Sequence, residues 1–467
     1  MAARPNILFL MSDEHRADLA GFAGNDVIRT PVLDWLAETG VVFQNAYTPS
    51  PICVPGRQCL MSGQLPKTCG CEGWVDLEPG YNTFAREFSR YAYSTVCSGK
   101  LHHQGPDQMQ GWRKRIAPDA EIDDNHVRDR IEEEFLRYTP APGTGKWFIQ
   151  REVEEARAAV GPYQRFDHRA VVAAKDFLSR YFQDSLYRRP GSHRPLLLKL
   201  SLLQPHYPFF TDEERFNYYQ NRVSIYEDDP CDHPVLSLSQ QPKPVNALPD
   251  AVRRATAAYY GMVDQVDAYF GEILELLKDL GEDLDQWIII YTSDHGEMLG
   301  QHGLWEKARF YEASARVPLI IRWPAQFQGG RIVTENVNLC DLYATMCDLA
   351  DIAVPRGLDS RSLVPLMSGR TAGWLNESVS QLDTNHVMIK QDDLKYQYYG
   401  DDIPEVLFDL RLDPGELVNV AGDAEYQRHM GDFRRRLAEL GHGPNADLHY
   451  VNAGYTQNDP HQVNGEV

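Results

Sequence analysis

Five short apolar runs limit what this chain can fold into: residues 7–11, 94–97, 196–202, 287–292 and 317–322, each closed by Pro, Gly or polar residues. Each has the length and composition of one strand, and amphipathic stretches alternate with them. The clearest amphipathic stretch is 250–280. There Val252, Ala255, Met262, Val266, Tyr269, Ile273 and Leu277 keep one helix face apolar, and Arg253, Arg254, Glu272 and Lys278 read as a solvated face. Asp250 is placed to cap its start and Gly281 to end it. Strands alternating with helices specify an α/β fold, with a large, mainly parallel central sheet flanked by helices. After about residue 370 the pattern changes. Residues 386–399 and 406–410 read as antiparallel strands and 424–440 as a helix, so a smaller C-terminal α+β subdomain with a short antiparallel sheet is expected. The expected division is 1–370 and 371–467, with a polar tail from Gly441; 467 residues suffice for two or three units of ~150 residues. The polar segments 106–165 and 211–249 are expected to form the rims of a site.

The residues that carry chemistry follow the carboxyl ends of these strands. Asp13 and Glu14 follow the first, Lys100 and His102 the second, His206 the third, and Asp294 and His295 the fourth. In open α/β sheets ligands bind outside the strand carboxyl ends, so four separate segments point to one rim. Singly, each has a plainer reading. Asp13 could cap a helix, Glu14 could be a bystander, and Lys100 could lie on the surface. His206 could be an ordered loop histidine, and His103 and His302 polar neighbours. Asp294 and His295 are sharper, because they stand where a strand enters the Gly296 turn.

A fifth feature is Cys53-Val54-Pro55-Gly56-Arg57, preceded by the loop-like Thr48-Pro49-Ser50-Pro51. A proline suits the first helical turn, where its missing N–H has no partner to lose. Cys53 then lies at a helix N-terminus, which favours negative charge, with Arg57 one turn along. That suits an anionic substrate; the alternative is a buried structural cysteine. The net charge of −21 excludes a general nucleic-acid binder and demands a locally basic site for any anion. The eight cysteines contain no CxxC pair, and Cys69-Gly70-Cys71 is too tight for a zinc knuckle. No signal h-region opens the chain and no run reaches a membrane span of ~18–20 residues. The reading is a soluble protein of a reducing compartment, the cytoplasm, with no nucleic-acid or membrane partner. Oligomeric state, including a homo-oligomer, stays open.

Taken together these motifs resemble the sulfatases of the alkaline phosphatase superfamily. The resemblance runs from Pro5-Asn6-Ile7-Leu8-Phe9-Leu10-Met11-Ser12-Asp13 through the cysteine motif, Ser98-Gly99-Lys100-Leu101-His102 and Gln204-Pro205-His206-Tyr207-Pro208. It continues over Thr292-Ser293-Asp294-His295-Gly296-Glu297 to Lys307, then Gly357-Leu358-Asp359-Ser360-Arg361, and ends at Leu407-Phe408-Asp409-Leu410. The family usually has Ser, Thr or Ala where this chain has Gly56. The Asp294-His295 pair and Gly105-Pro106-Asp107-Gln108 look nearest to choline sulfatases, with phosphonate monoester hydrolases the close competitor.

The resemblance implies that a formylglycine-generating enzyme oxidises Cys53 to formylglycine. It implies one divalent metal, Ca²⁺ or Mn²⁺, held by Asp13, Asp294, His295 and an oxygen of matured residue 53, with Glu14 where many relatives have a second Asp. A hydroxyl of the hydrated aldehyde, activated with help from Asp294, would attack the sulfur of a small-molecule sulfate ester. Arg57 would hold the diol, Lys100 and Lys307 would clamp the sulfate, and His206 would protonate the leaving alcohol. His102 would take the second hydroxyl's proton as the aldehyde returns. The competing expectations are a phosphonate monoester or phosphodiester hydrolase on the same residues, a non-catalytic anion- or metal-binding relative, and a cysteine-thiolate hydrolase.

Overall fold

The computed structural model describes residues 4–118, 148–183, 193–226, 233–234, 247–384, 386–444 and 446. Parts of both expected rim segments and nearly all of the polar tail lie outside the described residues. The first strand, β1 (Ile7–Ser12), lies inside a nine-stranded sheet. It is flanked by β6 (Leu196–Ser201) and β8 (Ile288–Ser293), both parallel to it. Beyond β6 follow β3 (Ser94–Gly99) and β4 (Lys114–Ala117), again parallel. Beyond β8 the sheet turns mixed: β10 (Leu319–Arg322) is antiparallel to both β8 and β2 (Val41–Tyr47), and β11 (Arg331–Asn338) is parallel to β2.

Why β1 sits inside is visible in its burial. Ile7, Leu8, Phe9, Leu10 and Met11 are all fully buried. Side chains alternate across a strand, so both faces must be covered. Ile7, Phe9 and Met11 pack with Val41, Phe43, Leu60, Met61 and Tyr343 on one face. Leu8 and Leu10 pack with Val266, Phe270, Ile273 and Leu277 of the long helix on the other. Each such burial contributes about 1.5–3 kcal/mol. The long helix spans Pro249–Asp279. Proline holds its first position and Leu248 is its N-cap, so Asp250 serves the first turn rather than the cap. Gly281 follows its end, its N–H bonded to Lys278 O.

The expected strand at 317–322 is broken. Pro318 offers no ladder N–H, so the segment divides into β9 (Arg316–Val317), paired with β2, and β10. The described parts of the rim segments carry the Phe148–Glu155 helix and a two-stranded pair, β5 (Arg157–Ala158) with β7 (Phe210–Thr211).

After residue 370 the chain forms a four-stranded antiparallel sheet: β12 (Glu377–Leu382), β13 (His386–Gln391), β14 (Leu394–Tyr399) and β15 (Val406–Asp409). The Gln427–Glu439 helix covers it, and Phe433 stacks on Tyr396 with ring centroids 5.2 Å apart. This sheet braces the loop that leads to Cys53. Gln381 N–H donates to Pro49 O at 2.9 Å, and Ser380 Oγ donates to Thr48 O. Buried Lys395 ties the two sheets together through Glu312 (2.6 Å) and Glu416 (2.8 Å).

Candidate active site

Strand direction brings the chemistry together. β1, β3, β6 and β8 all end on one rim, and so does β2, which the sequence reading did not pick out. After β2 the braced loop enters the Cys53–Ser62 helix, whose every residue is buried. Ile52 is its N-cap, so Cys53 opens the first turn and Pro55 stands within it. Gly56 suits this packing, because a Cβ there would lie 2.8 Å from Ser50 O. On the β8 side, a Cβ on Gly296 would lie 2.0 Å from Ala313 O, so only glycine lets the Asp294-His295 turn close.

Asp13, Cys53, Asp294 and His295 converge, each 0–1 % exposed, with ligand atoms within 4.8 Å of one another. Cys53 Sγ lies 3.1 Å from His295 Nε2 and 3.9 Å from Asp13 Oδ1. His295 Nε2 lies 3.8 Å from both Asp13 Oδ1 and Asp294 Oδ1. The second shell orients the imidazole: Nδ1–H donates to Gly296 O at 3.0 Å, which leaves the Nε2 lone pair facing the carboxylates. Such a donor set fits a divalent metal.

Arg57 organises this group. Its Nε donates to Asp294 Oδ2 at 2.7 Å and its Nη2 to Asp13 Oδ2 at 2.9 Å. Its Nη1 donates to Ser201 Oγ (2.9 Å) and Lys100 O (3.0 Å). Lys100 Nζ reaches Asp13 Oδ2 at 2.7 Å. Burial opposes ionisation of Asp13, yet Lys100 and Arg57 outweigh it and hold the carboxyl well below its usual range. Asp294 Oδ1 accepts the backbone N–H groups of Glu14 (3.2 Å) and His295 (3.1 Å), stitching the turn after β1 to the turn after β8.

A second cluster adjoins the first. Glu14 is in the left-handed region (φ 68°), and its Oε2 meets Lys307 Nζ at 3.1 Å and His206 Nε2 at 3.4 Å. The Glu14 carboxyl thus joins Lys307 and His206, and with Asp13 and His206 it makes a second group of ligand atoms within 4.8 Å of one another; burial pushes it well above its usual range although Lys307 pulls it down. Lys307 Nζ donates to His206 Nε2 at 2.8 Å, and His206 Nδ1–H donates to Tyr207 O at 2.7 Å. Burial and then Lys307 hold His206 well below the ordinary imidazole range. Burial works against the charge of Lys307, but Glu14 and the Tyr207 hydroxyl push it well above the usual amine range. Its Nζ also lies 4.2 Å from the Tyr207 ring centroid.

His102 is buried on the adjoining loop (φ 61°), with Trp74 edge-on at 5.2 Å between ring centroids. The structure also contains groups that the sequence reading passed over. Ser201 receives Arg57, and Tyr207 lies under Lys307. Glu297 Oε1 holds the backbone N–H groups of Leu299 and Glu306. Glu297 lies four residues from Ser293 in a motif already singled out, and that spacing was its only signal. A Cys–His contact that no sequence spacing reveals is present as Cys53–His295. Burial and then Asp13 push the Cys53 thiol well above its usual range, which disfavours a thiolate nucleophile.

A family model described as Sulfatase matches residues 5–352. The chain belongs to the sulfatase family. A second model, for the C-terminal part of N-sulphoglucosamine sulphohydrolase, matches residues 300–442. An arylsulfatase of Clostridium perfringens is 29 % identical over 462 residues, covering 93 % of both chains. A choline-sulfatase of Rhizobium meliloti is 32 % identical over 441 residues, covering 90 % of this chain and 82 % of its own. The fold is shared with a phosphonate monoester hydrolase of Agrobacterium radiobacter at TM-score 0.74 and 22 % identity, covering 94 % of this chain and 95 % of that one. The sulfatase described here is therefore a sulfuric ester hydrolase. Its buried cysteine, two aspartates and histidine form a group able to hold a metal. Among the described residues no helix is long and apolar enough to cross a membrane.

Proposed function

We propose that this sulfatase cleaves small-molecule sulfate esters through formylglycine generated from Cys53 by a maturation enzyme, with residues 1–370 as the catalytic unit and 371–467 bracing it, in the cytoplasm. The observation that carries this reading is the convergence of Cys53 with Asp13, Asp294 and His295 at a buried helix N-terminus, with Arg57, Lys100 and Lys307 around it. Asp13, Asp294, His295 and an oxygen on matured residue 53 would hold one divalent ion. Carboxylates favour Ca²⁺, and the imidazole leans toward Mn²⁺. When bound, the ion lowers the pKa of a hydroxyl and offsets charge on the sulfate oxygens.

The chain's own residues do the rest. One hydroxyl of the hydrated aldehyde gives its proton to Asp294 and attacks sulfur, and the S–O bond to the organic group breaks. Arg57 holds the Asp13 and Asp294 side chains in place. Lys100 and Lys307 turn toward the sulfate oxygens and the bridging oxygen. The leaving oxygen takes its proton from the Lys307–His206 pair, in which Lys307 is the donor and His206 the acceptor before substrate arrives. His102 would act as base for the second hydroxyl. Its deprotonation expels sulfate and restores the aldehyde, so the covalent ester has an exit without attack by water.

Cys53→Ala should abolish release of sulfate from aryl and choline sulfates while far-UV circular dichroism stays unchanged. Active protein should weigh less than its sequence by the exchange of sulfur and two hydrogens for one oxygen. Turnover by Cys53→Ala at the wild-type rate would overturn the reading. A second reading, phosphonate monoester or phosphodiester hydrolysis, draws on the His295 Nε2 facing Asp13 and Asp294. Parallel rates on sulfate, phosphonate and phosphodiester esters of one phenol separate the two.

A further inference from the structure

At the opposite end of the Cys53–Ser62 helix stand three thiols that the sulfatase reaction does not use: Cys59, Cys69 and Cys71. Cys59 Sγ and Cys69 Sγ are 3.7 Å apart, and Cys71 Sγ is 4.0 Å from Cys69 O. Cys59 and Cys71 are fully buried, whereas Cys69, at the end of the short Pro66–Cys69 helix, is 9 % exposed. Two sulfurs at this separation need to approach by only ~1.7 Å to reach a disulfide bond length of ~2.05 Å. The cluster is not a metal site of the kind built around Asp13. Among the described residues, the two groups whose ligand atoms all lie within 4.8 Å of one another, Asp13 with Cys53, Asp294 and His295, and Asp13 with Glu14 and His206, contain none of these three.

We propose that Cys59 and Cys69 form a reversible oxidation site whose co-reactant is a low-molecular-weight disulfide such as oxidised glutathione. Cys69 is the entry point because it is the least buried of the three. The neighbouring thiols of Cys59 and Cys71 donate to its sulfur and hold its thiol well below the ordinary range. Cys69 gives its proton to solvent and attacks one sulfur of the small disulfide, forming a mixed disulfide and releasing one thiolate. Cys59 then loses its proton and attacks the Cys69 sulfur, displacing the second thiolate. Two electrons and two protons pass to the small molecule, which leaves as two thiols, and the protein is two hydrogens lighter. Cys59 is the resolving partner rather than Cys71, because a Cys69–Cys71 bond would close a tight ring across Gly70. The bond would pin the Pro66–Cys69 helix to the helix that opens on Cys53. The proposal rests on no reading of the reaction at residue 53.

The test is to incubate the folded, full-length protein with oxidised glutathione, trap remaining thiols with an alkylating agent, digest and map by mass spectrometry. The expected result is a linked pair of Cys59 and Cys69 peptides, a loss of two alkylated thiols, and full reversal by dithiothreitol. Cys71→Ser should keep the link and Cys59→Ser should lose it. Cys59 and Cys69 both found alkylated in the treated wild-type protein would overturn the proposal, as would a Cys69–Cys71 link. Because wild-type mapping decides the matter, misfolding of a variant leaves the test intact.

Discussion

Arg57 offers the sharpest test of how the site is held together. Its side chain is wholly buried and pairs with two carboxylates that are also wholly buried. Arg57→Ala would leave Asp13 with Lys100 but strip Asp294 of the cation now 2.7 Å from its Oδ2. Breaking a buried pair by removing one partner costs about 3–5 kcal/mol, because a charge stays behind in a low-dielectric interior. Only Asp294 is orphaned, so the loss should be that of one pair, not two. Arg57→Lys keeps the charge, but one ammonium cannot span Asp294, Asp13 and Ser201 together, so about half the loss should remain. The assay is urea unfolding with a chelator present, so that no bound cation stands in for the guanidinium. Arg180→Ala, which removes an exposed pair with Asp176, is the control and should stay within about 0.5 kcal/mol of wild type. A loss below about 1 kcal/mol for Arg57→Ala would refute the reasoning, because Arg57 would then behave like a surface residue.

Dialysis against a chelator should remove turnover, and Ca²⁺ or Mn²⁺ should restore it; full activity in excess chelator would dismiss the metal. Lys307→Ala should slow release of a poor alkyl leaving group by about 10²–10⁴-fold, the range for proton transfer, and slow a nitrophenyl leaving group far less. Equal losses on both esters would remove the Lys307–His206 pair from protonation. Burial raises Asp267 to about 7, although it accepts the backbone N–H groups of Leu33 and Val32. The folded chain then keeps a proton that the unfolded chain has released. Asp267 should therefore cost stability progressively as pH rises from about 4 toward 7. Asp267→Asn, which keeps only one of the two bonds because Leu33 and Val32 donate to separate oxygens, should flatten that slope, and an unchanged slope would sink the argument.

β1, β3, β6, β8 and β10 were legible because they are buried on both faces and read as apolar runs, whereas β4 and β11, with their exposed positions, were not expected. β2 was not, because Gln44 is exposed and Asn45 half-buried within it, so its seven residues break the run. Yet β2 delivers Cys53, and the expectation of a helix N-terminus there came from local proline chemistry alone. Asp13, Asp294 and His295 were legible as residues closing strands. The partner of Glu14 was not, since Lys307 lies 293 positions away and on a loop. The left-handed backbone at Glu14 turns its side chain from the first cluster to the second, and nothing in the adjacent residues announces that turn. The expected helix cap at Asp250 failed for a local reason: Pro249 already occupies the first helical position.

Charge completes the argument. The net charge of −21 demanded a basic site, yet the cations at this site are already committed. Arg57 and Lys100 are bound to Asp13 and Asp294, and Lys307 pairs with Glu14, whose carboxyl burial holds well above its usual range although Lys307 pulls it down. A divalent ion on Asp13, Asp294 and His295 would add further positive charge toward an anion. Until then the carboxylates act as placeholders. They keep Lys100 and Lys307 buried and extended at the rim, so the cost of desolvating both amines falls in folding rather than when sulfate binds. On the proposed mechanism an arriving sulfate would replace Glu14 at Lys307 and Asp13 at Lys100. On that reading a chain this acidic would receive an anion through prepaired basic groups, and the exchange would confine that affinity to a ligand that reaches both lysines at once.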